Sequence, residues 1–171
     1  MTNPKRGYKW LTTFDGNIGI KNAPDNYLTV ESEMSLYASL WTRQQYTFAI
    51  RVGGAHNFGT FPFYVSNALG GTTNLRGYRG TRFSGRTSLY LNTDLRMSLF
   101  NIGGDVLPGR LGVLGFFDVG RVWADGETSD KWHPGYGGGL WYDVVGELIL
   151  RFSVGFSTED TFILFGPGFF F

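Results

Sequence analysis

The sequence predicts an all-β chain, an eight-stranded antiparallel up-and-down transmembrane β-barrel with one long extracellular loop. Three observations carry this. Apolar and polar residues alternate one for one through eight separate stretches, the period of a pleated strand whose two faces meet different surroundings. The polar half of each alternation holds Ser, Thr, Asn, Gly and Tyr with a few charges of both signs, rather than the Lys and Glu of a solvated strand. Such a set suits a crowded polar lumen. Finally, 26 Gly, 16 Phe and 9 Tyr in 171 residues, with only 17% charged, is a composition that a helical bundle would not tolerate.

The strands follow in order. Tyr8, Trp10, Phe14, Ile18 and Ile20 share one face of the first, about 7–20, opposite Lys9, Thr13, Asp15 and Asn17. After the turn Asn22–Asn26, the second, about 27–41, sets Leu28, Val30, Met34, Leu36, Ala38 and Leu40 against Thr29, Glu31, Glu33, Ser35, Tyr37 and Ser39. A turn at Thr42–Gln45 returns the chain into a third strand, about 46–54, with Tyr46, Phe48, Ile50 and Val52 on one face. The Gly-rich long loop 55–87 follows. The fourth strand, 88–99, is the cleanest, with Leu89, Leu91, Leu95, Met97 and Leu99 alternating with Tyr90, Asn92, Asp94, Arg96 and Ser98. Strands at 110–123, 135–144, 147–157 and 162–171 complete the set, the last with an outward row Ile163, Phe165, Phe169 and Phe171.

The connections alternate in length, which sets the topology. Thr42–Gln45, Phe100–Gly109 and Val145-Gly146 lie at one end, and the long loop and Ala124–Pro134 at the other. Barrels of bacterial membranes keep short turns inside and long loops outside. Ten residues at about 3.3 Å rise, tilted by about 40°, span roughly 25 Å, the height of the apolar band of such a barrel. Trp10, Tyr46, Tyr142, Phe169 and Phe171 stand at strand ends, where interfacial aromatics are expected.

Other classes are excluded or disfavoured. No stretch approaches the roughly 20 apolar residues of a membrane-spanning helix. A net charge of +1 gives no reason to expect nucleic acid as a partner. Without cysteine there is neither a disulfide framework nor a Cys-ligated metal, and neither a metal nor another cofactor is expected. Met1–Arg6 carries no apolar core of an export signal. His56 and His133 fall in separate loops with no nucleophile elbow or helix-borne metal pair, so an enzyme is not expected and no residue is assigned a catalytic role.

The segment from Gly70 to Phe83 is the least strand-like part of the chain and carries Arg76, Arg79 and Arg82, with Arg86 close behind. It lacks the Gly-Lys-Ser/Thr of a phosphate loop. A long loop with so many arginines needs acidic partners, and the next two strands offer Asp94 and Asp118 on their lumen faces. Leu75-Arg76-Gly77-Tyr78, with Asn92 and Asp94 in the next strand, Phe116-Phe117-Asp118-Val119-Gly120 in the one after and the terminal Phe171, resembles the outer-membrane assembly superfamily of the BamA and TamA barrels and the bacterial surface antigens. The order and offsets are similar to the last eight of that family's sixteen strands.

The resemblance implies a bacterial outer-membrane location and a latch in which Arg76 reaches Asp94 and Asp118 and holds the loop down. It implies a role in inserting or translocating outer-membrane proteins, the alternative being a passive anchor or small pore for another domain. Gly166, Pro167 and Gly168 weaken the last strand, because proline cannot donate to the ladder, and with Phe171 they mark a seam. Expected partners are outer-membrane lipid and an outer-membrane protein client. Pro4–Tyr8 reads like the opening of a mid-barrel strand, as in a truncated half-barrel or a relative without the first half. A conflict remains, because an eight-stranded barrel is only wide enough for side chains. A loop held inside therefore competes with closure, and either the sheet closes on itself, the simpler expectation, or a second copy completes a wider wall.

Overall fold

A computed structural model describes residues 4–19, 26–40, 45–104, 108–128 and 130–171. Its strands are β1 (Gly7–Asn17), β2 (Tyr27–Leu40), β3 (Tyr46–Gly59), β4 (Asn67–Leu69), β5 (Phe83–Gly85), β6 (Thr87–Ile102), β7 (Gly109–Trp123), β8 (His133–Val144), β9 (Leu148–Ser157) and β10 (Thr161–Pro167). Eight of these form one antiparallel sheet in the order β1-β2-β3-β6-β7-β8-β9-β10. The other two, β4 and β5, pair as a small hairpin inside the long loop, which brings the strand count to ten. The expected turns at 22–25 and 42–44 lie outside the described residues, and the first strand, expected to reach Ile20, already ends at Asn17, with Ile18 and Gly19 outside it.

The two faces of the sheet are inverted relative to a soluble protein. Outward side chains such as Phe48, Leu95, Phe117, Leu140, Phe152 and Phe165 are exposed, while inward Thr47, Arg51, Asn92, Asp94, Arg96, Asp118 and Ser153 are buried. A continuous exposed apolar face marks a surface made for a non-aqueous neighbour. Two small apolar clusters sit on the inner face. Leu69, Leu75 and Tyr78 of the loop pack on Tyr90 of β6, and Leu114, Phe116, Trp141, Ile149 and Leu164 lie toward β10.

Several expected boundaries move. β3 continues to Gly59, because β2 supplies a ladder partner for every added residue up to Tyr27↔Gly59. β10 stops at Pro167 instead of running to Phe171. His56 and His133, expected in loops, stand in β3 and β8. The main correction concerns closure. β1 and β10 are the two ends of the sheet and do not pair among the described residues, so the self-closed barrel is not formed. The reason is volume, because backbone and large side chains of the loop and of the C-terminal segment fill the inner face. A wall of eight strands curled to closure has room for side chains alone.

Candidate functional site

The loop that joins β3 to β6 is stitched at its stem. Asn57 donates its backbone N–H to the Arg86 carbonyl at 3.0 Å and its side-chain amide to the Val65 carbonyl at 2.9 Å. Asn67 donates to the Arg86 carbonyl at 2.6 Å. At the outer rim Arg86 pairs with Asp125 at 2.6 Å and Arg82 with Glu159 at 2.6 Å. The hydrogen bonds from Arg86 hold the exposed Asp125 carboxyl below the usual carboxylate range. After β4 the chain turns tightly. Asn74 accepts from the Gly70 N–H at 2.9 Å and donates to the Ala68 carbonyl at 2.8 Å, the local bonding that makes Asn a turn residue. The turn sends Leu75 and Arg76 inward.

Arg76 is 1% exposed and each of its side-chain nitrogens donates. Nε and Nη2 form a fork onto Asp118 at 2.7 and 2.6 Å, Nη1 reaches Asp94 at 2.7 Å, and the backbone N–H of Arg76 also donates to Asp118, at 3.0 Å. The guanidinium lies between the rings of Phe116 and Phe170, 3.9 and 4.1 Å from their centroids. Asp94 is shared, because Arg96 donates to its other oxygen at 2.9 Å. Bidentate Arg–carboxylate bonds fix geometry as well as energy. Once such charges are buried, removing one partner costs about 3–5 kcal/mol, since the other is left uncompensated.

The neighbouring predicted residues converge on the same place. Gly77 adopts φ +92°, and a Cβ there would approach the Phe156 carbonyl oxygen to 2.7 Å, so both conformation and space call for glycine. Tyr78 donates its hydroxyl to the Pro134 carbonyl at 2.9 Å and packs edge-on against Phe83. Gly120 leaves room for Leu69, whose side chain would lie 2.8 Å from a Cβ at that position. Asn92, fully buried, donates to the Asn74 carbonyl at 2.8 Å. Its oxygen accepts from Arg51 Nε and Nη2 at 3.0 and 2.8 Å, and Arg51 Nη2 also reaches the Thr73 carbonyl at 2.7 Å. Arg51 is thus a second clamp on the loop. The signal the sequence offers for it is its place between Ile50 and Val52, on the opposite face of the third strand.

The seam residues behave differently from expectation. Gly166 and Pro167 end β10, and Gly168, at φ +74°, turns the chain into the interior. Phe169 and Phe171 therefore do not continue the outward row of Ile163 and Phe165. Phe169 stacks on Arg96 at 4.0 Å and meets Trp141 at 5.5 Å, and Phe171 lies against Tyr37 with its carbonyl accepting from Arg96 at 2.9 Å. Pro167 gives the outer edge of β10 no donor, the Gly168 N–H makes a last bond to the Ile149 carbonyl at 2.8 Å, and beyond it the interior offers cations to the aromatic faces. The Gly-Pro-Gly break was the visible signal for this turn, although not for where it leads.

The sequence matches the Omp85 superfamily domain over residues 1–161. The chain belongs to the Omp85 superfamily. The match includes Arg76, Asn92, Asp94 and Asp118 and stops short of the Gly166–Phe171 segment. Omp85 proteins are associated with the outer membrane of Gram-negative bacteria and with the assembly or translocation of its proteins. No curated protein sequence matches the chain.

Proposed function

We propose that this Omp85 chain forms one wall of an outer-membrane barrel that helps to insert or translocate other outer-membrane proteins, with its short turns toward the periplasm. The observation that carries the reading is the contrast built into a single sheet. A polar interior is fixed by the Arg76 latch at β6 and β7, while β10 is short, presents no donor at Pro167 on its outer edge and keeps a single bond beyond it, from the Gly168 N–H to the Ile149 carbonyl. A seam of that kind can exchange strand partners without disturbing the centre. The filled interior counts against an open pore. A passive anchor for another domain is the competing use of the same wall.

Exposed strand edges in lipid cost several kcal/mol per unpaired group, so further strands must cover β1 and β10 in the membrane, from a longer chain or from a second copy. For the 171-residue chain by itself this predicts two copies per particle when its mass is measured in detergent, and a single copy would mean that the sheet closes alone. The function is tested by reconstituting the protein in liposomes and following the folding of an unrelated barrel protein. Faster folding than in empty liposomes is expected. An unchanged rate would leave the anchor as the reading.

A further inference from the structure

Arg151, on the inward face of β9 a few residues from its short-turn end, is buried at 6% exposure. Unlike Arg76, its Nε and Nη1 have no hydrogen-bond partner among the described residues, the Phe170 ring centroid lies 5.8 Å away, and the latch carboxylates Asp94 and Asp118, already bonded to Arg76 and Arg96, reach it only through space. A buried guanidinium without an acceptor is costly, and natural structures supply one. Its cross-strand partner on β10 is Gly166, where an added Cβ would meet nothing within 4 Å, so the space beside the cation stands open. That space is a cavity of about 260 Å³ between Arg151, Gly166, Pro167, Phe170 and the exposed Thr72 of the loop. At about 30 Å³ per water molecule it has room for a hydrated phosphate.

Two further facts say where the anion comes from. The cavity lies at the point where β10 ends and Gly168 turns inward, which leaves a notch in the wall at the periplasmic rim. On the other side of the same strands, Leu140, Leu150, Phe152 and Phe165 form an outward apolar groove that shares Phe165 and Arg151 with the cavity. We propose that this is a phospholipid site. The phosphodiester enters through the notch and is held by Arg151 with the Thr72 hydroxyl, and an acyl chain lies along the Phe152–Phe165 groove. The site is independent of any assembly activity, since its occupancy is read without a client protein.

The test uses the refolded chain in maltoside micelles, with bound lipid counted by native mass spectrometry. The probes are dioleoylphosphatidylglycerol, dioleoylglycerol with the same tails and no phosphate, inorganic phosphate, and a short peptide ending in a free phenylalanine carboxylate. One phosphatidylglycerol per chain is expected, with Arg151→Gln weakening retention at least tenfold, Gly166→Leu doing the same by filling the space, and Arg151→Lys keeping part of it. Equal retention of dioleoylglycerol, or of phosphatidylglycerol by Arg151→Gln, would overturn the proposal. Inorganic phosphate binding as tightly as the lipid would assign the site to a free ion, and preferential binding of the peptide would assign it to a client carboxylate. Either result overturns the lipid source. The heat-induced gel shift separates binding from folding. Arg151→Gln should unfold at the same temperature as the parent or higher, because no bond is lost, and a clear drop would make Arg151 a structural residue and end the proposal.

Discussion

The β6–β7 wall and the β10 seam use the same components, arginines, aromatics and glycines, to opposite ends. β6 runs for 16 residues and carries two of the acidic or amide groups that grip the loop. β10 runs for 7 and stops at a proline. At the centre, Arg76 has an acceptor for each side-chain nitrogen and a ring on each side. At the seam, Arg151 has a ring and a cavity. Partnered charges make a region rigid and intolerant of change, whereas short ladders and unpartnered groups leave a region free to exchange its contacts. The sheet thus sets a densely bonded centre beside a sparsely bonded edge.

Asp118→Ala should break the contrast most severely, because it leaves Arg76 with Asp94 alone. A loss of about 3–5 kcal/mol in urea unfolding from micelles is expected. Gly168→Ala should blur it from the other side. At φ +74° a Cβ costs about 1–2 kcal/mol, so the C-terminal segment leaves the interior, and Trp141, which packs on Phe169, should report the change in its fluorescence. Tyr78→Phe removes the bond to the Pro134 carbonyl and the longer one shared with the Thr158 hydroxyl, and should cost about 1 kcal/mol in the same unfolding assay. The smallest effect belongs to the exposed rim. Since Arg86 depresses the Asp125 carboxyl, the tether is at full strength above the ordinary carboxylate pKa of about 4 and fades as the pH falls through the depressed value. Hydrogen exchange in the 60–86 loop, corrected for intrinsic rates, should therefore rise at acid pH, and Asp125→Asn should reproduce the rise at neutral pH.

The parts of this arrangement that could be read from the sequence are those governed by a local period. Leu89 to Leu99 alternates with Tyr90 to Ser98 whatever surrounds it, so the strand, its two faces and the inward direction of Asp94 all follow from residue order. Asp118 was legible in the same way, and a loop rich in arginine made pairing with these carboxylates the natural expectation. Closure was not legible, because curvature depends on the volume filling the inner face and no single residue encodes that volume. Phe169 and Phe171 were misplaced because a period of two assumes that the strand continues, and Gly168 redirects it after Pro167 removes a donor. The clamp of Arg51 on Asn92 and the Thr73 carbonyl depends on a contact between β3 and a loop turn that no spacing in the chain announces.

The central claim is that Arg76 and Asp118 act as one latch and not as two separate lumen charges. A double-mutant cycle measures this directly, with Arg76→Ala, Asp118→Ala and the pair compared by urea unfolding of the refolded chain. If the latch is real, the pair costs at least about 1 kcal/mol less than the two single costs added together, because the Arg76–Asp118 contact can be lost only once. Costs that simply add would show that the two charges are satisfied independently, and the account would fail.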